Sequence, residues 1–208
     1  ASEPIRDAAS VAVAVAASAA LLLSITHRTT ISTPRSNEDE QRTSSFDPRW
    51  DLLAPTVGII GLIAAGISGG GNEVLQTARI LVGAAFLGSV TDAMLLGHWY
   101  LVQPGLRREP LLEQVSWLGK LWPLEVGLLI VPTGMISVLT GKIDDSYGGM
   151  LGWFWLACAL TTGGLVIVTR AALRERQYAA VMAATGLLYL AILTAFGTDV
   201  VARLVLET

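Results

Sequence analysis

Residues 78–102, ARILVGAAFLGSVTDAMLLGHWYLV, decide the fold of this chain. Nearly all of these 25 residues are apolar, and a helix of that length can cross a hydrocarbon core of about 30 Å. Asp92 lies in the middle of the segment, and His98 follows near its end. Because an ionisable side chain inside a spanning segment is a functional-site hypothesis by default, this segment is the starting point for both fold and function.

The composition of the whole chain agrees with a location in a membrane. Of the 208 residues, 52% are hydrophobic and 15% are charged, whereas soluble domains carry about 25% charged residues. Six tryptophans, most of them near the ends of apolar runs, are typical of an aromatic belt at the membrane interface. The net charge of −3 and the lack of a basic tract predict no nucleic-acid partner, so the lipid bilayer is the expected environment.

Apolar runs separated by polar turns recur along the rest of the chain. They predict an all-α polytopic transmembrane helix bundle in a single domain, with about six spanning helices, or five if the first is removed as a signal peptide. Residues 27–50 are expected to form a polar, solvated loop, and residues 106–117 a loop with room for a short interfacial helix. The predicted spans are 8–26, 52–69, 78–102, 118–140, 150–169 and 178–201.

The second predicted span contains four glycines. A helix surface without side chains lets a neighbouring backbone approach closely, so we interpret these glycines as a packing surface rather than a chemical site. They are Gly58, Gly61, Gly66 and Gly69.

The distribution of lysine and arginine predicts how the bundle is oriented. Ten of these 14 residues fall on the side that holds the loops after the first, third and fifth spans, and four fall on the opposite side. By the positive-inside rule, the first side faces the cytoplasm. Both termini are then outside a cytoplasmic (inner) membrane of the bacterial type.

His98 and Glu125 are the leading candidates for chemistry. Both are expected about 6–10 Å inside the cytoplasmic ends of consecutive antiparallel spans, because a helix rises about 1.5 Å per residue. We therefore expect the imidazole and the carboxylate to meet, directly or through water. Such a pair either pins two helices together or accepts a proton, as at a quinone headgroup. Trp99, Tyr100 and Trp122 either wall this site or belong to the interfacial belt.

Asp92 lies deeper, and about 120° around the helix from His98, so one small ligand cannot easily contact both. Its carboxyl group is expected either to be protonated and hydrogen-bonded to a neighbouring helix, or to take part in a proton or cation path. Asp199 and Arg203 are four residues apart in the last span and can pair on one helix face.

The sequence disfavours most cofactors. A single haem would need His27 and His98 as axial ligands, and we do not expect it because His27 opens the polar loop. Cys158 is the one cysteine, interpreted as a small buried thiol, and we predict no metal site and no catalytic residue. A quinone or a lipid remains open as a ligand.

Two functional hypotheses follow. The first is an accessory or scaffold subunit of a larger membrane assembly, including one that handles quinones or electron transfer, because glycine- and alanine-rich spans favour helix packing. The second is a small proton- or cation-coupled transporter or channel that uses Asp92 and Glu125. An integral membrane enzyme is the third and weakest, since the sequence offers no nucleophile.

Overall fold

The computed structural model describes residues 53–68, 72–103, 107–131, 134–145, 147–175 and 177–206, together with residues 4, 7, 8, 11, 12 and 15. Most of the predicted first span, the loop 27–50 with His27, and Gly69 lie outside the described residues.

Helices account for almost all of the described chain, which contains no strand. They are α1 (Leu53–Ser68), α2 (Glu73–Val102), α3 (Glu109–Ile130), α4 (Met135–Leu139), α5 (Met150–Arg174) and α6 (Tyr178–Leu206). Three of them, α2, α5 and α6, are long and apolar enough to cross a membrane. The all-α fold is therefore confirmed, and these three helices have the length and composition of spanning segments.

The chain divides into two compact units, residues 1–81 and residues 82–208, and the boundary falls within α2. In the first unit, α1 approaches the start of α2 closely at Gly66. A Cβ atom on this buried glycine would lie 2.5 Å from the Cα of Thr77, so a larger residue does not fit. Gly58 and Gly61 are half-buried, and the close approach is at Gly66.

Two apolar clusters form the core of the second unit. The larger combines side chains from α2, α3, α5 and α6, including Phe86, Leu118, Val166 and Leu188. The smaller combines α3, α4, α5 and α6, including Leu129, Met135, Val138, Trp155 and Ala202. Between apolar helices in lipid, such clusters stabilise the fold through close van der Waals packing rather than through removal of apolar surface from water.

Polar contacts close the end of the second unit at which α2 ends and α3 begins. The Tyr100 hydroxyl donates a hydrogen bond to the carbonyl of Arg107. The Arg108 guanidinium donates to the carbonyls of Glu175 and Gln177. The turn before α3 is thereby attached to α2 and to the turn between α5 and α6.

Helix α3 differs from the prediction at both ends. It begins at residue 109, within the expected loop 106–117, and it ends at residue 130, well before the end of the predicted span 118–140. The early start is compatible with Pro110, because the first turn of a helix does not use the N–H that proline lacks. The early end follows from Val131, whose φ of −94° and ψ of 144° are extended, as expected for a residue that precedes a proline, here Pro132.

Asp145 caps the N-terminus of α5. Its carboxylate accepts hydrogen bonds from the backbone N–H groups of Tyr147, Gly149 and Leu151, at 3.0, 2.7 and 2.8 Å. Gly149 has a φ of 86°, a left-handed conformation that glycine adopts without strain. The Gly149 N–H is the main cause that lowers the pKa of Asp145 below its ordinary value, because these donors favour the ionised carboxylate and outweigh its desolvation.

We predict that Asp145→Asn destabilises the protein in a pH-dependent way. Since the pKa of Asp145 is lowered in the folded protein, its charge stabilises the fold above the ordinary value of 3.8, and this contribution is lost as the pH falls through the folded-state pKa. Asparagine keeps an acceptor oxygen but removes the charge. The midpoint of thermal unfolding in detergent should therefore fall at neutral pH, and the difference from wild type should shrink below pH 3.8.

Glu113→Gln is the control for this experiment, because Glu113 is an exposed acid on α3. It should not reproduce the pH-dependent loss. A deficit of equal size for Asp145→Asn at neutral and acidic pH would contradict the charged cap.

Candidate functional site

Glu125 lies in the interior of the second unit, and its side chain is 0% exposed. On α3 it falls between Leu118, which belongs to the larger apolar cluster, and Leu129, which belongs to the smaller one. Glutamate is almost never fully buried unless it is paired, so the groups around it define the first candidate site.

Two charged residues of α6 reach the same place as Glu125. The Arg203 Nε donates to the Asp199 Oδ2 at 2.8 Å, and the two side chains are 31% and 6% exposed. Gly83 of α2 has no side chain and so leaves the space that these charged side chains occupy. A Cβ atom on Gly83 would lie 2.6 Å from Arg203 Nη2, 2.8 Å from Asp199 Oδ1 and 3.4 Å from Glu125 Oε1. We call Gly83, Glu125, Asp199 and Arg203 the buried charge cluster.

The buried charge cluster brings two carboxyl groups close to one guanidinium. The Glu125 and Asp199 oxygens both lie within 3.4 Å of one point, so they are less than 7 Å apart. The cluster can therefore pin α2, α3 and α6 together, and it has the groups needed to bind and release a proton.

Arg203 gives the cluster a connection to the edge of the bundle. It lies three residues before the end of α6, and its side chain is about one-third exposed. A long cationic side chain near a helix end can extend its head to the membrane surface while its stem stays in apolar surroundings. The buried acids are therefore next to a side chain that is partly exposed near the end of α6.

His98 lies far from Glu125, so the expected pairing of these two side chains is not formed. His98 follows Gly83 by 15 residues on α2, which is about 22 Å at 1.5 Å per residue. Its exposed imidazole has Nδ1 3.3 Å from the hydroxyl of Tyr189, and the two rings meet edge to face. The reason is the early start of α3, which moves Glu125 away from the end of the bundle that holds His98.

The aromatic residues predicted around this pair are also dispersed. Trp99 is 54% exposed, whereas the neighbouring Tyr100 is buried. Trp122 connects α3 to α5, because its indole N–H donates to the carbonyl of Ala159 at 2.9 Å and its ring lies against Gly163. These three aromatic side chains do not wall a common site.

Asp92 lies on the outward face of α2. Its side chain is exposed, as are those of Leu95 and Trp99, at 55% and 54%. Residues at these spacings share one side of a helix. Asp92 is nine residues from Gly83, about 13 Å along the helix, so it is not part of the buried charge cluster.

Within the described residues, no three His, Cys, Asp or Glu side chains lie close enough together to hold a metal ion. No protein-family model matches the chain, and neither a curated protein nor a solved structure does.

We predict that Gly83→Ala destabilises the protein by about 1–3 kcal/mol, because an added methyl group in a filled space forces its neighbours to shift. The neighbours here are the paired side chains of Asp199 and Arg203. Gly186, inside α6, is the matched control, since nothing lies within 4 Å of its Cβ position. Gly186→Ala should be neutral or stabilise by up to about 1 kcal/mol, because alanine is the better helix former.

The measurement is the free energy of unfolding in detergent for both variants and wild type. Equal effects of the two substitutions would contradict the close approach of Asp199 and Arg203 to Gly83.

Proposed function

We propose that the chain is a multi-pass protein of a cytoplasmic membrane. In this proposal α2, α5 and α6 cross the membrane, and α1, α3 and the apolar segment 8–26 complete a bundle of about six spans. The end of the second unit with Arg107, Arg108, Arg170 and Arg174 faces the cytoplasm, because arginine accumulates on that side. Both termini are then on the opposite side.

Within this membrane, the proposed role is that of an accessory or scaffold subunit in a larger assembly. The observation that carries this proposal is Asp92, an exposed carboxyl group near the middle of an apolar helix. An aspartate at the bilayer centre costs about 2.5–3.5 kcal/mol on insertion scales. A face that carries such a group is suited to contact with another protein segment rather than with lipid tails.

The surroundings of Asp92 also suit a partner helix. Gly88 lies one turn away, and the space around its Cβ position is open, which allows a second backbone to approach closely. Leu95 and Trp99 flank Asp92 with apolar surface on the other side. The partner expected from this chemistry is a spanning helix that offers a hydrogen-bond donor or a cation to Asp92.

Quinone binding and electron transfer gain no support from the described residues. The pairing of His98 with Glu125 was the feature that suggested them, and these side chains lie at different levels of the bundle. The proposal therefore specifies a membrane subunit and leaves its substrate open.

We predict that Asp92→Leu releases the partner. Leucine makes the outward face of α2 compatible with lipid tails and removes the polar contact. Wild type extracted in a mild detergent should elute as a complex, whereas Asp92→Leu should elute at the size of its 22.0 kDa chain with bound detergent. Size-exclusion chromatography with light scattering measures this.

Leu193→Ala is the control, because Leu193 is 70% exposed and lies on α6, whereas the proposed contact face is on α2. This variant should remain in the complex. A wild-type chain that runs alone, or a complex that survives Asp92→Leu, would remove the basis for the subunit proposal.

A second candidate function, proton- or cation-coupled transport, is favoured by the buried charge cluster. Glu125 is fully buried beside Asp199, and Arg203 extends from there toward the end of α6. Carboxyl groups in such surroundings can take up and release a proton as the site opens to either side. In this version of the hypothesis Asp199 takes the place of Asp92, because Asp92 lies on the outward face.

We predict that Glu125→Gln abolishes any proton flux that the protein supports. Glutamine keeps the shape of the side chain but cannot exchange a proton, so flux into proteoliposomes should fall to that of empty vesicles. Asp92→Asn is the matched control and should leave the flux unchanged. A pH-sensitive dye trapped inside the vesicles reports the rate. If wild-type vesicles already match empty ones, the transport candidate fails, while the subunit proposal is unaffected.

A further inference from the structure

A groove of about 600 Å³ runs along the outside of the second unit between α3 and α5. Gly119 of α3 and Gly163 and Gly164 of α5 leave space between the helices, and Leu160 and Ile167 add apolar walls. The residues from α5 recur at intervals of three and four, so they form one face of that helix. The groove therefore follows one face of α5, and most of the residues that line it are apolar.

The inner side of this groove is fixed by contacts between the two helices. The Trp122 indole donates to a backbone carbonyl of α5 and lies against Gly163, where a Cβ atom would be 2.7 Å from the ring. Gly164, next along the helix, has nothing within 4 Å of its Cβ position. The space beside Gly164 is consequently open to an occupant from outside.

Two cations, Lys120 and Arg170, line the same groove, and no carboxylate does. Both side chains are exposed, and neither forms an ion pair with a described residue. Lys120 lies over the ring of Trp117, with Nζ 4.3 Å from the ring centre. Arg170 is four residues before the end of α5. A Cβ atom on Gly119 would lie 3.5 Å from Val166, so Lys120 is about one helical turn further from that end than Arg170. Because its Nζ lies over Trp117, one turn back along α3, both cationic heads lie in the half of the groove nearest the end of α5.

The dimensions of the groove fit one leaflet of a bilayer. From Arg170 to Leu160 is ten residues of α5, about 15 Å of helix. This length is half of a hydrocarbon core of about 30 Å. A ligand that matches the groove has an anionic head in the half that holds Arg170 and Lys120, and an apolar tail that extends from there toward Leu160.

We propose that this groove binds an anionic phospholipid, with the phosphate between Lys120 and Arg170 and an acyl chain beside Gly164 toward Leu160. The inference rests on the proposed location in a membrane, but not on the proposed partner. Basic pockets between spanning helices are typical sites for anionic headgroups. The positive charge at one end favours an anionic over a zwitterionic lipid, and the apolar length favours a lipid over free phosphate.

The test uses the full chain, delipidated in a neutral detergent and titrated with phosphatidylglycerol, phosphatidylcholine or inorganic phosphate. Native mass spectrometry measures the bound fraction. Wild type should bind phosphatidylglycerol about tenfold more tightly than phosphatidylcholine, because two cations face the headgroup. Inorganic phosphate should not displace it at comparable concentrations.

Two pairs of variants separate the headgroup from the acyl chain. The double variant Lys120→Gln/Arg170→Gln should lose the preference for phosphatidylglycerol, whereas Lys142→Gln/Arg174→Gln, two exposed cations outside the groove, should keep it. Gly164→Leu should fill the groove and weaken both lipids. Gly186→Leu is its matched control, because this α6 glycine also has nothing within 4 Å of its Cβ position and does not line the groove.

Helix content and thermal unfolding of each variant show that it is folded before binding is compared. Equal affinities of wild type for the two lipids, or an unchanged preference in the Lys120 and Arg170 double variant, would overturn the headgroup site. Equal binding by Gly164→Leu and Gly186→Leu would overturn the acyl-chain site. These results do not depend on whether Asp92 has a protein partner, since binding is measured on the isolated chain.

Discussion

The high cost of placing an ionisable group in hydrocarbon constrains every charged side chain of this bundle. The charged side chains of the second unit avoid that cost in different ways. Glu125 and Asp199 are turned inward and meet Arg203 beside a glycine. Lys120 and Arg170 remain exposed in the half of the groove nearest the end of α5. Asp92 alone among these points outward from the middle of an apolar helix, which is why it carries the proposal of a protein partner.

Glycine leaves the space that the inward-facing charged side chains occupy. A side chain on Gly83 would occupy the space that Asp199 and Arg203 use, and a side chain on Gly163 would displace the Trp122 ring. Small residues allow helices in a membrane to approach closely and gain packing energy. Here they also make room for large polar or aromatic side chains of a neighbouring helix. The glycines therefore set both the spacing of the helices and the place where charge can be buried.

Hydropathy predicted the apolar helices of this chain well and predicted α3 poorly. The long apolar runs of α2, α5 and α6 follow directly from composition. The first nine residues of α3 carry Glu109 and Glu113, so the sequence predicts a loop with room for only a short interfacial helix at 106–117, although residues 109–117 are part of the long helix. This one boundary error moved the expected level of Glu125 along the bundle by about 13 Å, at 1.5 Å per residue. The predicted pairing of Glu125 with His98 depended on that level and is therefore not formed. The proximity of Glu125 to Asp199 could not be predicted, because it depends on how α3 and α6 are aligned.

Helix α2 links the outward carboxyl group to the inward cluster. It is one continuous helix that carries both Gly83 and Asp92. Atoms of Asp199 and Arg203 lie less than 3.0 Å from the position that a Cβ atom on Gly83 would occupy. Close-packed interiors transmit small displacements because they have few voids to absorb them. A partner that displaced α2 as one rigid helix would also displace the backbone next to Asp199 and Arg203. The two candidate functions are consequently compatible, because a subunit bound at the outward face would act on the same helix that shapes the buried charge cluster.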